Sequence, residues 1–327
     1  MRSALVLGMV AVLGFSSARA GADSARGTAT LVFLAGPYKN QHVAAVDADG
    51  RRLRRLKPPL VSATYGLAWS RSGAVAYVTK EGLFVLPAEG KRAKRLTKTP
   101  VVSGLAWSPD GTTLAYEAVA SLRIARAPAY APRRAGDGAL FDGWVGNVRY
   151  QGYASGDRYL VSLDGSPRKW IGTVDDTFEW SGDGKTVASA PWSRSTICLR
   201  TSGRTERCTT LRGSLIHSLA WSPAGDRLVF ATNFVKVGLW TIRRDGSGLQ
   251  RIFRTTDENV DGRSAWSPDG SLIAFEQYGG SLGVVRVMIV PSSGGKARHV
   301  ANGRVEGFSP MWVPATHFAP HDPLAGP

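Results

Sequence analysis

The chain has 327 residues, 43% of them hydrophobic and ten of them tryptophan, with 41 Lys+Arg against 25 Asp+Glu and a formal net charge of +16. That apolar content supplies a large core and excludes disorder over most of the length. The basic balance points toward anionic partners: nucleic acid, anionic lipid or cell-envelope polymer.

The first twenty residues, MRSALVLGMVAVLGFSSARA, read as a secretory leader. Arg2 supplies the positive start, Ala4 to Phe15 an apolar run, and Ala18-Arg19-Ala20 a small-x-small cleavage site. The run is too short for a bilayer, which needs roughly 20 apolar residues. No cysteine follows it, so a lipid anchor is not expected. Cleavage after Ala20 would remove two arginines and no acid, leaving a mature charge near +14. Export to the periplasm or beyond makes nucleic acid the least fitting anionic partner. The remainder divides into a linker (21–27), one folded domain (28–314) and a proline-rich tail (315–327). The tail should be mobile. Its His317 and His321 could share a metal only on a helix, which Pro320 and Pro323 disfavour.

Within the domain one phrase recurs. LAWSRSG carries Trp69, LAWSPDG Trp107, FEWSGDG Trp180, LAWSPAG Trp221 and SAWSPDG Trp266. FDGWVGNVRYQGY fits the same register with Trp144, and GFSPMW puts Phe308 in the corresponding place. The spacings are 38, 37, 36, 41, 45 and 42 residues. A steady period near 40 is the signature of a β-propeller, one blade per repeat. Each unit reads as four strands. The aromatic ends the first, a Pro-Asp-Gly type turn follows, and an alternating run such as Thr113 to Glu117 makes the second. A third strand then leads to an Asp-Gly or Glu-Gly hairpin turn and a basic, exposed fourth (VDADGRRLRRL, LPAEGKRAKRL, IRRDGSGLQRI). No long 3.6-residue apolar period appears, so almost no helix is expected.

The count closes on itself. Before the first aromatic, ATLVFLAG and HVAAVDADGRRLRRL supply second, third and fourth strands without a first. After the last, VEGFSPMWV supplies a first strand with nothing behind it. Joined, they complete a blade and remove an open edge. The expectation is an all-β, seven-bladed propeller of four-stranded antiparallel blades, with six blades as the alternative if the Trp144 unit is not a true blade.

Cys198 and Cys208, in ICLRTSGRTERC, are the only cysteines, and each lies five residues from Gly203. A hairpin turning there sets them directly opposite, where Cβ atoms approach to about 4.5–5.5 Å. A cross-strand disulfide is expected in an oxidising compartment.

The pairing of WSPDG-x-x-[LI]-A-[YF] with a D-x-D-G…R-L strand resembles the TolB-type, WD40-like propeller repeat, over most of residues 28–314. The copies at 105–117, 219–231 and 264–276 carry the motif best, and those at 69, 144 and 308 are partial. The Gly-His and Trp-Asp pairs of the eukaryotic WD40 repeat are missing, and there is no room for the N-terminal α/β domain of TolB. The resemblance implies an extracytoplasmic propeller that binds something.

Most chemically suggestive residues have a structural explanation. The recurring Trp69, Trp107, Trp144, Trp180, Trp221, Trp266 and Phe308 are plugs between blades, and the Asp110 and Asp269 turns bond their own backbone. GGSLG (279–283) matches a nucleophile elbow, but no helix follows it, so Ser281 belongs to a glycine-rich hairpin. The runs Arg51-Arg52-x-Arg54-Arg55-x-Lys57 and Lys91-Arg92-x-Lys94-Arg95 keep outer edges from pairing, with contact to an anionic envelope polymer or lipid as the other use.

The segments feeding the first strands ring one mouth of the central channel. They contain Tyr65, Asp142, Asp175, Asp176, His217, Asp257, Glu258, Asp261, Arg263, Arg304 and Glu306, a gathering of acids in an acid-poor chain. These are the candidate residues for a protein, cation or polar ligand. No complete calcium loop is present, and no cofactor or metal is expected. The leading expectation is a monomeric, non-catalytic binding propeller. The alternative is a propeller enzyme of lyase or lactonase type acting on sugars or lactones, which His217 alone among the mouth histidines would serve.

Overall fold

The computed structural model describes residues 29–36, 42–55, 67–79, 81–88, 92–98, 103–118, 121–135, 140–173, 176–191, 195–255, 258–260, 262–279, 284–300 and 307–314. The expected leader, linker and tail, and the GGSLG serine Ser281, lie outside these residues.

The described residues form seven antiparallel sheets and no α-helix. The first strands of blades one to seven are Leu67–Trp69, Ser103–Trp107, Leu140–Val145, Asp176–Trp180, Ser214–Trp221, Ser264–Trp266 and Gly307–Pro314. In the sixth blade a second short piece, Glu258–Asn259, pairs with the same neighbour as Ser264–Trp266. The seventh blade is built from both ends of the domain: Gly307–Pro314 pairs with Ala29–Ala35, which runs on to His42–Asp47 and Arg54–Arg55. The Trp144 segment is a full four-stranded blade, which settles the count at seven.

The repeated phrase folds alike in four of its copies. After Trp107 the Ser108 hydroxyl donates to Asp110 (2.6 Å), the Thr112 amide donates to the same carboxylate, and Gly111 takes a φ of 71°. Ser181–Asp183 and Ser267–Asp269 repeat the contact at 2.6 Å. Where Pro223-Ala224 displaces the aspartate, Ser222 finds Asp226 instead at 2.7 Å. These four turns therefore carry their own acceptor, as Asx-type turns do, while after Trp69 the Ser70 hydroxyl meets that of Ser72 at 2.7 Å.

The tryptophans join neighbouring blades. Each donates its indole N–H to the backbone carbonyl just before the tryptophan of the preceding blade: Trp107 to Ala68, Trp144 to Ala106, Trp221 to Glu179 and Trp266 to Ala220, at 3.0–3.1 Å. In the seventh blade the donor is Trp312, which reaches the Ala265 carbonyl at 3.1 Å. The expected plug Phe308 lies on the same strand, its side chain outside the described residues, and four residues later Trp312 makes the tie of the closing blade.

Buried apolar clusters sit between successive blades. Leu83, Leu114 and Tyr116 join blades one and two, Ile124, Phe141 and Tyr150 join two and three, and Leu199, Leu228 and Phe230 join four and five. Similar clusters join five to six, six to seven and seven to one. At the junction of blades three and four the described residues instead bring the Arg158 guanidinium over the Phe178 ring and against Asp142.

The outer strands are basic, as expected, and several of their cations clasp the next blade. Lys94 donates to the Ala129 carbonyl, and Arg298 donates to the carbonyls of Ala48 and Asp49, both at 2.8 Å. Cys198 and Cys208 are paired residues on Thr196–Thr201 and Arg207–Thr210 and form the disulfide. Gly203, at φ 72°, makes the turn between them.

Candidate functional site

The first strand of a blade is its innermost, so the residues just before each tryptophan border the axial channel. One position before the tryptophan the seven blades place Ala68, Ala106, Gly143, Glu179, Ala220, Ala265 and Met311. Glu179 is the one charged side chain in that ring. It was passed over in the sequence because FEWSGDG reads as one more plug, and its signal is the break in an otherwise small-residue column.

Glu179 is partly accessible, and its carboxyl makes no hydrogen bond among the described residues. Burial pushes the carboxyl up to about 8, opposed by the charge of Arg263. Arg263 stands three residues before Trp266, on the sixth blade, and Glu179 is on the fourth. The fifth blade lies between the two blades that carry them. Arg263 is exposed and has no hydrogen-bond partner among the described residues.

Two hydroxyls lie on the same arc. Ser218 of the fifth blade and Ser264 of the sixth are 3.2 Å apart. Ser218 has a φ of 55°, a left-handed conformation that costs a non-glycine residue roughly 1 kcal/mol or more. It sits at a bulge between His217 and Ala220. The second blade has its own bulge at the matching position, where Gly104 takes a φ of 68°. His217 precedes the bulge, and its Nε2 donates to the Asn233 amide oxygen at 3.1 Å, while the Asn233 amide nitrogen donates to the Val260 carbonyl. His217 is thereby tied to the next blade.

Asp142 is engaged inside its own blade. It accepts from Gln151 at 3.0 Å and pairs with Arg158. Asp176 and Glu258 are placed by their backbone, at the start of the fourth blade and in the short extra piece of the sixth. Tyr65, Asp175, Asp257, Asp261, Arg304 and Glu306 lie outside the described residues. Of the expected set, the structure therefore brings His217 and Arg263 to one arc and places Asp142 beside Arg158.

Sequence reading also missed two buried acids. Glu117 and Glu276 occupy equivalent places on second strands and are each 5% exposed. Glu117 accepts the Phe141 amide at 2.6 Å, fixing the start of the third blade, and Glu276 accepts from the Tyr278 hydroxyl at 3.0 Å. Each abuts a glycine of its own blade: a Cβ on Gly262 would fall 2.2 Å from a Glu276 carboxylate oxygen. Their signal was the shared ending of LAYE and IAFE. Among the described residues one grouping of metal-ligating types occurs, Cys198, Glu206 and Cys208, and its two sulfurs are spent in the disulfide.

Fold and channel mouth together define a seven-bladed β-propeller with a polar arc on its inner strands. Solved structures agree on the fold. The chain is similar to TolB from Acinetobacter baumannii, at 14% identity and a TM-score of 0.50, over 88% of this chain and 67% of that one. It is also similar to an oligogalacturonate lyase in complex with manganese, at 14% identity and 0.55, over 86% and 85%. A third is the periplasmic gluconolactonase of Pseudomonas aeruginosa, at 14% identity and 0.50, over 88% and 99%. No protein-family model and no curated protein matches the sequence.

Proposed function

We propose that this protein is an exported, non-catalytic binding propeller, working in the periplasm or outside the cell, whose channel mouth receives a protein or a small polar ligand. The observation that carries this reading is the polar arc itself. Six ring positions are Ala, Gly or Met, while one side of the mouth collects Glu179, Ser218, Ser264 and Arg263. A few polar groups set in an otherwise small, apolar lining are what orients a bound ligand. Export is supported by the leader-like first twenty residues and is compatible with the Cys198–Cys208 disulfide. Basic outer strands offer a second contact, toward an anionic envelope polymer or lipid.

Catalysis fits the arc less well. His217 is held through Nε2 by Asn233, and the two hydroxyls face each other rather than a base. A nucleophile needs a base within hydrogen-bond reach. The lyase and lactonase that share the fold keep the enzyme reading testable. Purified protein should turn over neither lactones nor uronate oligomers. A pull-down from envelope extract should recover a partner or ligand that Arg263→Ala loses. Turnover abolished by Arg263→Ala would replace the binding reading with the enzymatic one.

A further inference from the structure

We propose that the outer part of the fifth blade holds a site for a phosphate dianion, free or as a terminal monoester, between Arg227 and Arg243. The site is independent of the mouth. Ser214–Trp221 leads from the mouth to the turn before Arg227, and the hairpin turn after Arg243 lies at that same far end. There the structure has a cavity of about 220 Å³, whose lining includes both arginines, Thr241, Gly248 and Gln250. A water takes up about 30 Å³ of liquid, so the space suits a polyatomic anion better than a single water.

The sequence departs from its own repeat at this point. Arg227 and Arg243 stand directly opposite each other on the neighbouring strands Arg227–Phe234 and Gly238–Arg243. The corresponding pairs are Thr113 with Arg126 in the second blade, Thr186 with Thr201 in the fourth and Leu272 with Pro291 in the sixth. Directly opposed residues have Cβ atoms about 4.5–5.5 Å apart, and like charges there destabilise a sheet. Neither guanidinium makes a hydrogen bond or an ion pair among the described residues. Arg243 runs along Gly248, where a Cβ would stand 3.5 Å from its Nε.

The acids beside them are engaged elsewhere. Asp226 accepts from the Ser222 hydroxyl at 2.7 Å, and Asp245 accepts from the Ser247 hydroxyl and amide at 2.7 and 2.9 Å. Those Ser247 bonds, with the Arg243 charge adding to them, hold the Asp245 carboxyl low. Asp245 is exposed, so its pull on Arg243 is screened by solvent and the cavity keeps a positive field. Thr241, only 2% exposed, also lines the cavity, and its hydroxyl has no partner among the described residues. Gln250 donates to the Ser293 carbonyl at 3.1 Å and ties this wall to the sixth blade. One arginine fork satisfies a carboxylate, which has two oxygens and one charge. Two forks and a hydroxyl match the three oxygens and nearly double charge of a phosphate monoester.

Calorimetric titration of the purified protein, in chloride at fixed ionic strength, compares inorganic phosphate, acetate and dimethyl phosphate. One phosphate per chain should bind, about tenfold or more tighter than either of the others. Arg227→Gln and Arg243→Gln should each weaken phosphate about tenfold or more, the loss of one charge-assisted contact. Thr241→Val, which removes only the hydroxyl, should weaken it about threefold or more. Arg92→Gln removes an equal charge from an exposed position on the first blade and should leave affinity within about twofold. Both arginine variants should melt no lower than wild type in chloride, because the opposed charges are relieved, and phosphate should raise the melting temperature of wild type alone.

Absence of stoichiometric phosphate binding would overturn the site. So would acetate binding as tightly as phosphate, or Arg92→Gln costing as much as the cavity variants. Dimethyl phosphate binding as tightly would overturn the dianion and assign the pair to phosphodiesters, such as those of lipid headgroups. If an arginine variant melts below wild type in chloride, Thr241→Val and the three-anion comparison in wild type decide the matter.

Discussion

The indole nitrogen of Trp107 donates to the carbonyl oxygen of Ala68 at 3.0 Å, across the junction of the first two blades. Four other junctions repeat the contact, so the tryptophan is both an apolar plug and a hydrogen-bonded tie around the axis. Trp180 differs: its indole nitrogen is buried with no partner among the described residues. Trp107→Phe should therefore cost about 1–2 kcal/mol, from the lost bond and the orphaned carbonyl. Trp180→Phe loses no bond and relieves an unsatisfied donor, so its cost should stay nearer zero to about 1 kcal/mol. Urea unfolding midpoints compare the two. Equal losses would mean that the tie adds nothing to the plug.

The scaffold was legible because a propeller repeats its local chemistry. WSPDG names the first turn, the alternating run names the second strand, and the split ends name the closing blade. The exception is informative. Phe308 fits the spacing of 42, but Trp312 makes the hydrogen bond, because periodicity fixes a strand and leaves its register free to slip. The site was less legible for a geometric reason. Glu179 and Arg263 are 84 positions apart, on the fourth and sixth blades, and only the fold brings the Arg263 charge to bear on the Glu179 carboxyl. Asp142 read as a mouth acid, and Arg158, two strands away in its blade, is what takes it up.

Ser218 and Gly104 occupy matching bulges with φ of 55° and 68°. Glycine takes this conformation without a Cβ penalty. Ser218→Gly should stabilise the protein by about 0.5–1 kcal/mol, less whatever the contact with Ser264 contributes. Gly104→Ala should do the reverse, by about 1–3 kcal/mol, because the new Cβ would also stand 3.2 Å from a Phe141 ring carbon. Thermal melts of the two variants should move in opposite directions. A loss of stability in Ser218→Gly would show that the serine's hydroxyl contact outweighs its strain.

The disulfide closes a loop of sequence separation 10 on the outer edge of the fourth blade. A loop of that size restricts the unfolded chain by about 2–3 kcal/mol in the loop-entropy account. Cys208 is exposed, so a reductant reaches it without unfolding. The double variant Cys198→Ser, Cys208→Ser should lose that amount in urea unfolding. Wild type in reductant should coincide with it. Unfolding curves of wild type that do not respond to reductant would show that the loop contributes nothing.

Glu179 should make stability fall as pH rises. Its folded carboxyl titrates at about 8, far above the range of an unfolded glutamate, so between about 4.5 and 8 the folded state holds a proton that the unfolded state has released. Stability is therefore highest on the acid side of that window and declines across it, the opposite of the usual salt-bridged carboxylate. The ionised form is penalised by burial, and the Arg263 charge offsets only part of that penalty. Glu179→Ala restores the residue that four other blades use at this position and removes the slope. At pH 9 it should be more stable than wild type by about 1–3 kcal/mol, after discounting for the carboxyl's access to channel water. At pH 5 the two should differ little. Urea unfolding at both pH values decides it: parallel behaviour would show that the Glu179 carboxyl is solvated in the channel and titrates as an ordinary acid.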